Sequence, residues 1–584
     1  MEINLKNKEN DYNNIDYNNF KKNKNTNNID INKKNDQKNY NKENYNEKDY
    51  NEKKYDVIFI TAQYHDDHPL CATEILKRIV EDNGFSIKII EKPKNDNDYL
   101  KFGKPNLAFF VTSGPIDSML NNFTPLKKDR NEDKSQTKTD VPNRAIIKYC
   151  NDLKRLFKDS YIVIGGIESS LRRFAHYDYW ENKIRKSILL DSKANILVYG
   201  NGEIQSVEIL KRLKNKENMI GIEGTSILSK DLPNNTILLP SFKEVFENKE
   251  KFIDMQKKLS VYFNLAQEYD NNYIIQFKYP KYTSEYLDYI YSLDYTRKLH
   301  PKSQLKMAQF SIVTHRGCIG NCNFCSIAMH QGSKIISRSE ENILKEIEKI
   351  TKMKEFKGII DDLGGPSANM YKMDCKINCF NNCITCNKLN RSHREIIELL
   401  RKARNIKGIK KIFVRSGIRY DLAIESEEYI EEISKHHISG VLKIAPEHFS
   451  NDVLKLMNKE SFSFDKFKNK FDNINKNKNQ ELKYYIMIGH PGENKKTINE
   501  LIEKSKKLKN IESFQFFTPT PMSNSTCMYY TGKDLDKNDI DVIYSFKEKK
   551  EFKRKFLKTI EEVQNQNKKS NNSNNNNKEN NNYY

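Results

Sequence analysis

The sequence predicts an α/β protein built from two successive domains, an open doubly wound sheet followed by six β/α units. Between residues 55 and 238, short apolar runs alternate with helical patterns, which is typical of a parallel sheet with helices on both faces. From Met307 onward, the alternation of strand, loop and helix repeats six times. Such units are expected to carry their functional residues at the carboxyl ends of their strands.

The two ends of the 584-residue chain have a composition that favours disorder. Residues 1–54 are mainly Asn, Lys, Asp and Tyr, and residues 564–584 are almost entirely Asn with Lys, Ser and Tyr. Neither segment can bury enough apolar surface to offset its loss of conformational entropy. The folded region is therefore expected to comprise a first domain at 55–238, a helical connection at 239–303 and a second domain at 304–563.

The composition indicates a soluble protein in a reducing compartment. The formal net charge is +21, but the lysines are scattered along the chain, which favours solvated faces over one nucleic-acid surface. No apolar run approaches the ~18 residues that span a bilayer, and no signal-peptide core is found. We expect a cytoplasmic protein without a membrane partner. An organellar location stays open, because the polar N-terminal extension is long.

The first domain is predicted to contain five buried strands. In a parallel sheet, ligands bind beyond the carboxyl ends of the strands, so the residues that follow each strand are candidate ligand contacts. The predicted strands are Asp56–Thr61, Ser86–Ile90, Leu107–Thr112, Tyr161–Gly166 and Ile196–Glu203. The residues expected to cluster at this edge are His65, His68, Ser113, Gly165 and Gly202.

Three cysteines follow the first predicted strand of the second domain, in the segment Cys318-Ile-Gly-Asn-Cys322-Asn-Phe-Cys325. Three thiolates on one short loop can each bind one iron of a 4Fe–4S cluster and leave the fourth iron without a protein ligand. An open iron can bind a substrate or cofactor directly. This spacing, with Phe324 before the last cysteine, resembles the signature of radical S-adenosylmethionine (SAM) enzymes.

A zinc site is the alternative interpretation of this loop. A structural zinc ion needs four ligands, and His315 or His330 could complete a set with the three cysteines. In that case the protein would be a metal-stabilised binding or scaffold protein without enzymatic activity. A disulfide is not expected, because nothing in the sequence indicates secretion.

The resemblance extends over most of the chain and narrows to one family. The segments that carry it are similar to those of the YgiQ family of radical SAM proteins, the UPF0313 group, from about Tyr55 to Gly532. These segments are Met119–Thr124, Gly165–Trp180, Ile312–Cys325 and Cys527–Gly532.

The resemblance implies a fold, a chemistry and two cofactors. The fold would be a Rossmann-like, cobalamin-binding-like domain followed by a partial (β/α)6 TIM-type barrel. One 4Fe–4S cluster per chain would reductively cleave SAM to methionine and a 5′-deoxyadenosyl radical that abstracts hydrogen from a substrate. The electron donor would be a one-electron reductant of the flavodoxin or ferredoxin type. RNA, a small molecule and a peptide all stay open as substrates, and no catalytic side chain is assigned.

Cobalamin is not expected as a cofactor. The cobalt-ligand motif of the cobalamin-binding domain class pairs an Asp and a His with a glycine shortly afterwards. In the corresponding segment, Asp66-Asp-His68-Pro-Leu-Cys71, a cysteine stands where that glycine would fall.

The resemblance also implies where SAM would bind. The paired glycines would contact its amino group, although Pro366 replaces the acidic third residue of that motif. An arginine and a serine after the third strand would contact the carboxylate and the ribose, and the Ile-Gly-His-Pro-Gly turn after the fifth strand would contact the adenine. The implied SAM positions are Gly364, Gly365, Arg415, Ser416, Gly489 and His490.

A second group of four cysteines follows the paired glycines. Four thiols within twelve residues satisfy the ligand count of either a zinc site or a second Fe–S cluster. Four ligands would leave no open iron, which suits a structural or electron-relay role. The candidate ligands of this auxiliary metal site are Cys375, Cys379, Cys383 and Cys386.

Overall fold

A nine-stranded sheet organises the first half of the protein. The computed structural model describes residues 54–130, 140–303, 305–375, 379, 383–459, 463–508 and 511–579. The strands of this half are β1 (Val57–Thr61), β2 (Ile87–Glu91), β3 (Ala108–Thr112), β4 (Ile162–Gly165), β5 (His176–Asp178), β6 (Lys183–Arg185), β7 (Ile196–Val198), β8 (Thr225–Ser229), β9 (Ile237–Leu238), β10 (Leu265–Tyr269) and β11 (Asn272–Gln276).

The predicted strands form the parallel part of this sheet. The strand order is β2-β1-β3-β4-β7-β8-β11-β10-β9, and the first five strands pair in parallel. Every residue of β1 and β3 is buried, as expected for strands covered on both faces. Ile58 and Ile60 belong to one apolar cluster, whereas Val57 and Phe59 belong to another, so alternate side chains fill a core on each face.

Helices cover both faces of this sheet. For example, α1 follows β1 and buries Ile75, Ile79 and Val80, spaced for one helix face. The helices of this half are α1 (Ala72–Asp82), α2 (Asp96–Leu100), α3 (Ser118–Asn122), α4 (Ala145–Leu156), α5 (Ile167–Ser170), α6 (Ile188–Ser192), α7 (Glu203–Asn215), α8 (Phe242–Glu247), α9 (Lys249–Lys258) and α10 (Ser284–Ser292).

Residues 239–303 differ from the helical connection that the sequence predicts. They contain the antiparallel pair β10–β11, which continues the sheet through the antiparallel pairing of β11 with β8. Two buried glutamines interrupt the apolar pattern of these strands and hide it in the sequence. Gln276 donates to the carbonyl oxygens of Ser260 (2.7 Å) and Phe263 (3.0 Å), which compensates its burial.

In the described residues of the second half, strands and helices alternate and most strands are short. Parallel pairing joins β12 to β16, β15 to β17, and β18 to β19 to β20. The strands are β12 (Ile312–Val313), β13 (His315–Arg316), β14 (Ile336–Ser337), β15 (Ile359–Ile360), β16 (Leu363–Gly364), β17 (Lys411–Ile412), β18 (Val441–Glu447), β19 (Glu481–Ile488) and β20 (Ile511–Phe516).

Amphipathic helices separate these strands and share one apolar core with them. Ser339 accepts a hydrogen bond from the Asn342 amide and so caps α12, whose Ile343, Ile347 and Ile350 are fully buried. The helices of this half are α11 (Ile327–Gln331), α12 (Glu340–Thr351), α13 (Arg394–Arg404), α14 (Tyr420–Ala423), α15 (Glu427–Glu432), α16 (Asn451–Leu456), α17 (Phe464–Ile474), α18 (Lys495–Ser505), α19 (Asn524–Thr531) and α20 (Phe546–Glu579).

The structure can be compared with the sequence-based expectations for the two ends of the chain, namely disorder at 1–54 and a folded region that ends at 563. Residues 1–53 lie outside the described residues, so the disorder expected at 1–54 stays a prediction there. Helix α20 runs to Glu579 and so continues past residue 563, where the sequence predicts that the folded region ends. Among the residues that the structure describes, no helix has both the length and the apolarity needed to cross a membrane.

Candidate active site

The three-cysteine loop lies between β13 and α11. Its start is fixed by Gly317, whose φ is +84° and which could not be replaced, because an added Cβ would lie 1.9 Å from the Lys334 carbonyl oxygen. The Cys325 amide donates to the Cys322 carbonyl oxygen (3.0 Å), which closes a turn within the loop. All three thiols are partly exposed and none forms a disulfide. Burial raises the pKa of Cys318, and it raises that of Cys325 to about 12.

The arrangement of the thiols bears on the kind of metal they could hold. Among the described residues, no three His, Cys, Asp or Glu side chains converge on one point, as the ligands of a single zinc ion would. In a 4Fe–4S cluster, each thiolate binds a different iron, so the ligands stand apart around the cluster. The same lack of convergence holds for the four described cysteines of the second group, so the choice between zinc and a cluster rests on the number and spacing of the cysteines.

Two cations flank this loop, and the sequence analysis did not identify either. Arg419 donates from Nη1 to the Cys322 Sγ (3.3 Å). Lys459 is 8% exposed, and its Nζ lies 6.0 Å from the centre of the Phe324 ring. Each cation has a carboxylate partner, Asp421 for the arginine and Glu447 for the lysine.

A cavity of about 680 Å³ opens between the carboxyl ends of the first sheet and those of the second half's strands. From the first sheet it is lined by Thr112, Gly165 and the Gly200–Glu203 turn. Of the residues that the sequence predicted at this edge, Gly165 and Gly202 line the cavity. From the second half it is lined, among others, by His315, Arg316, Ile327, His330, Gly364, Gly365, Pro366, Arg415 and Ser416.

Four of the six implied SAM positions come together in this wall. Gly364 and Gly365 end β16, and Arg415 and Ser416 follow β17. Asp362 holds the second pair in place: it accepts from the amides of Arg415 (2.7 Å) and Ser416 (3.2 Å) and from the Ser416 hydroxyl. Burial raises the pKa of Asp362.

The other two implied SAM positions lie behind the wall. His490 is fully buried, and its Nε2 lies 2.6 Å from the Ser525 Oγ. Its ring packs edge to face against the ring of Phe324, with 6.3 Å between the ring centres, so it supports the cysteine loop. The Gly489 amide donates to the buried Glu493 carboxyl (2.7 Å). Within the described part of the chain, neither Gly489 nor His490 lines the cavity.

The histidine of the Asp66-Asp-His68 segment uses both ring nitrogens. The Leu70 amide donates to Nδ1 (3.0 Å), so the neutral ring carries its proton on Nε2 and donates it to the Gln309 carbonyl oxygen (2.7 Å). Burial, with the nearby Arg297 charge, lowers the pKa of His68 to about 4. The neighbouring His65 forms an ion pair with the buried Glu74 (2.7 Å).

The Gly-Asn-Gly-Glu turn at 200–203 connects the two halves of the protein. Glu203 begins α7 and is 2% exposed, and it pairs with Arg316 through Oε1 and Nη1 (2.6 Å). Its other oxygen accepts from the Tyr282 hydroxyl (2.9 Å). Because Arg316 lies two residues before Cys318, this buried pair ties the first sheet to the cysteine loop. The sequence predicts a strand over residues 196–203, whereas the strand ends at Val198 and Glu203 begins a helix.

The second cysteine group lies near the first. All four of its cysteines are described, whereas residues 376–378 and 380–382 between them lie outside the described residues. Cys318 of the first group and Cys383 of the second pack against the same small apolar cluster. The buried members of that cluster are Ile319, Ile335, Met370, Met373 and Leu422.

Comparison with known proteins identifies relatives along most of the chain. A family model described as Radical SAM N-terminal matches residues 40–314, and one described as Radical SAM superfamily matches residues 312–504. A UPF0313 protein of Clostridium botulinum (strain ATCC 19397 / Type A) is 42% identical over 520 residues, covering 82% of this chain and 80% of the relative. A UPF0313 protein of Methanocaldococcus jannaschii is 42% identical and covers 85% of this chain and 88% of the relative.

Two solved structures are distantly similar. One is the radical S-adenosylmethionine methyltransferase TsrM from Kitasatospora setae with cobalamin and a [4Fe-4S] cluster bound; it is 14% identical, with a TM-score of 0.49, covering 81% of this chain and 79% of that chain. The other is the cobalamin-dependent enzyme OxsB with aqua-cobalamin bound; it is 12% identical, with a TM-score of 0.46, covering 79% of this chain and 53% of that chain.

The superfamily match over the cysteine loop defines the class of this protein, a radical SAM enzyme. The family is identified by the UPF0313 relatives, which are about 42% identical to this chain over more than four fifths of its length. The chain belongs to the UPF0313 family. The resemblance predicted from the sequence is thereby confirmed.

Proposed function

We propose that Cys318, Cys322 and Cys325 hold a 4Fe–4S cluster and that SAM binds beside it in the 680 Å³ cavity. When bound, such a cluster supplies the electron that cleaves SAM to methionine and a 5′-deoxyadenosyl radical, which abstracts hydrogen from a substrate. The chain fits the group: its three thiols are free of disulfides, and a guanidinium donates to one of them.

The observation that carries this proposal is the position of the loop relative to the cavity. His315 and Arg316, immediately before the loop, line the cavity, and so do Ile327 and His330, immediately after it. The three cysteines themselves are not among the residues that line the cavity. A ligand held at the end of the cavity formed by His315, Arg316, Ile327 and His330 would lie next to the chain segment that bears the three thiols.

The cavity wall suggests which residues would orient SAM. Arg415 is exposed and lines the cavity, the Asp362 carboxyl fixes its backbone, and its guanidinium lies over the Phe413 ring (4.5 Å). From this position we propose that it pairs with the SAM carboxylate. Gly364 and Gly365 present backbone without side chains. For Gly489 and His490 we propose a supporting role beneath Phe324, because both are buried behind the wall.

The size of the cavity bears on the substrate. A volume of about 680 Å³ is typical of small-molecule sites, and its walls include the apolar side chains of Ile75, Leu76, Phe110 and Met307. We propose that the reacting part of the substrate is small and largely apolar. A peptide side chain or a small molecule meets this description more readily than a folded RNA, of which only an extruded portion could enter.

The topology supports the proposed architecture. The parallel order β2-β1-β3-β4-β7 is that of a doubly wound, Rossmann-like domain. In the second half, β12 pairs in parallel with β16 and β15 pairs in parallel with β17, and β15 and β16 are consecutive in the chain. The strands β18, β19 and β20 form a separate parallel sheet. We propose that these two groups are the two parts of a partial (β/α)6 barrel.

For the remaining cofactors we propose a second metal site and no cobalt–histidine bond. The four cysteines from Cys375 to Cys386 would hold zinc or a second cluster. The shared packing of Cys318 and Cys383 would bring a second cluster close enough to relay an electron from a flavodoxin or ferredoxin type reductant. His68 is not proposed as a cobalt ligand, because both of its ring nitrogens are used within the protein.

The experiment that tests this function is an assay for SAM cleavage. The protein is purified without oxygen, reconstituted with iron and sulfide, reduced with dithionite and given SAM, and 5′-deoxyadenosine is measured by chromatography. We expect deoxyadenosine, with about four or about eight irons per chain for one or two clusters. Cys322→Ala should abolish the product, whereas Cys527→Ala, which alters a buried cysteine of α19, should not. Zinc alone, without deoxyadenosine, would contradict the proposal.

A further inference from the structure

We propose that Arg419 and Lys459 raise the reduction potential of the cluster held by the three-cysteine loop, and that Asp421 opposes the arginine. This inference rests on the proposed function and concerns side chains that the family resemblance does not assign. Its basis is the juxtaposition of two largely buried cations with one loop that carries three thiols.

Arg419 is held against the loop by contacts on all sides. Its Nη1 donates to the Cys322 Sγ (3.3 Å). A Cβ added to Gly320 would lie 2.7 Å from that same Nη1 and 3.4 Å from the Cys318 Sγ, so the guanidinium lies beside two of the thiols. Asn369 fixes its backbone, accepting from the Arg419 amide (2.8 Å) and donating to the carbonyl oxygen (2.9 Å).

Lys459 reaches the loop from the segment that follows α16. The Met457 carbonyl oxygen accepts from the Asn323 amide (2.9 Å), and the Asn458 side chain donates to the Asn321 carbonyl oxygen (2.8 Å). These two contacts dock the segment on the loop and carry Lys459 to Phe324, the residue before Cys325. The ammonium is 3.6 Å from the Glu447 carboxylate, which lowers its net effect.

The physical reason is the charge that the cluster gains. One-electron reduction adds a negative charge to a group that already carries three thiolates. A fixed cation within a few ångströms, shielded from water, favours that added charge, and hydrogen bonds to the thiolate sulfur act in the same direction. Arg419 supplies both the charge and the N–H group, Lys459 supplies charge, and the Asp421 carboxylate paired with Arg419 acts against them.

A purely structural role of Arg419 predicts a different result. In that case its pairing with Asp421 would only stiffen the loop, and removing either partner would weaken cluster retention in the same way. An electrostatic role requires that the two substitutions shift the potential in opposite directions. The measured sign therefore separates the two explanations.

The test is a redox titration of the reconstituted protein with dithionite, with the reduced cluster followed by electron paramagnetic resonance and iron measured in parallel. We expect Arg419→Gln and Lys459→Met to shift the midpoint potential to more negative values, and Asp421→Asn to shift it to less negative values. Arg419→Lys should retain more of the wild-type potential than Arg419→Gln, because it keeps the charge. Arg394→Gln, which alters an exposed arginine paired with Glu398, is the matched control and should leave the potential unchanged.

Each outcome decides the proposal. Unchanged potentials in Arg419→Gln and Asp421→Asn, with wild-type iron content, overturn it, and so does a shift of both in the same direction. If Arg419→Gln loses its cluster, Asp421→Asn and Lys459→Met decide by the presence and sign of their shifts. The wild-type protein tests the proposed function separately. If it binds no cluster or forms no deoxyadenosine, the proposed function fails, whatever the variants show.

Discussion

The imidazole of His315 lies directly against the α-carbon of Gly365. A Cβ added at position 365 would lie 2.5 Å from Cε1 and 2.7 Å from Nε2 of that ring, closer than carbon atoms pack. His315 is fully buried and its Nδ1 lies 2.9 Å from the Thr314 Oγ1, so moving the ring away would break this contact. Packing alone therefore requires glycine at this position, whether or not the backbone also contacts SAM.

Gly365→Ala is expected to destabilise the protein through this contact. Overpacking in a closed core typically costs about 1–3 kcal/mol, because neighbours must leave their preferred rotamers. The free energy of unfolding, measured by denaturant titration, should fall by this amount. Gly365 does not have a positive φ, so backbone strain does not add to the cost.

The matched variant removes the imidazole of His315, which is the group that a methyl group at position 365 would contact. In a His315→Ala background, the methyl group at 365 has room, so adding Gly365→Ala should cost clearly less than it does in the wild type. Equal costs in both backgrounds would mean that His315 is not what excludes a side chain at position 365.

The sequence predicts those strands that are apolar throughout and misses those that bury polar groups. All five predicted strands of the first sheet are present, because strands covered on both faces are continuous apolar runs. The pair β10–β11 was missed, since Gln267 and Gln276 point into the core and satisfy their amides with backbone partners that lie far away in the sequence. The apolar and polar pattern of neighbouring residues in the sequence carries no information about such distant hydrogen-bond partners.

The same limit applies to the site. The cysteine spacing identifies the loop, because three ligands lie within eight residues of sequence. Arg419 and Lys459 are about 100 residues or more from the loop, and only the fold shows that they face it. The Arg-Tyr-Asp run at 419–421 was a signal available in the sequence, but Arg415 a few residues earlier fits the family resemblance and was chosen instead.

Glu203→Gln is expected to lower the free energy of unfolding substantially. It leaves the Arg316 guanidinium, which is 8% exposed, without its ionic partner. Removing one member of a buried pair typically costs about 3–5 kcal/mol, because the other charge stays desolvated. Denaturant titration of both single variants and of the double variant with Arg316→Gln should show a large favourable coupling. An exposed pair provides the control: Glu398→Gln should leave the free energy of unfolding nearly unchanged, because water screens this pair.

Cys383→Ser is expected to empty the second metal site and leave the first intact. Since the two groups are separate sets of ligands, iron should fall from about eight to about four per chain if the second site holds a cluster, or zinc should be lost while about four irons stay. Dithionite reduces the first site directly, so deoxyadenosine should still form. Cys322→Ser is the comparison: it should keep the metal of the second site, about four irons or the zinc, but form no deoxyadenosine. An unchanged metal content in Cys383→Ser would show that Cys383 is not a ligand.

The buried carboxyl of Glu493 is expected to make stability depend on pH. Burial raises the pKa of Glu493 to about 8, against the lowering effect of hydrogen bonds from the backbone of Gly489 and His490 and of the charge of Lys549. The charged and titratable groups that face it are His448, His490 and Lys549. Burial lowers the pKa of each histidine, to about 3 for His448 and about 4 for His490, and that of Lys549 to about 8.

The direction follows from the protons bound in each state. Between about pH 4.5, where the unfolded carboxyl titrates, and about pH 8, the folded protein holds a proton on Glu493 that the unfolded chain has lost. This contribution to the free energy of unfolding is therefore fully present below pH 4.5 and is lost as the pH rises through 8. In the upper part of this window the neighbouring histidines are neutral in both states, and Lys549 keeps its proton in both until about pH 8. Glu493→Gln, measured by denaturant titration at pH 6 and pH 8, should flatten the decline and stabilise the protein most at the higher pH. An undiminished decline in this variant would assign the effect to another group.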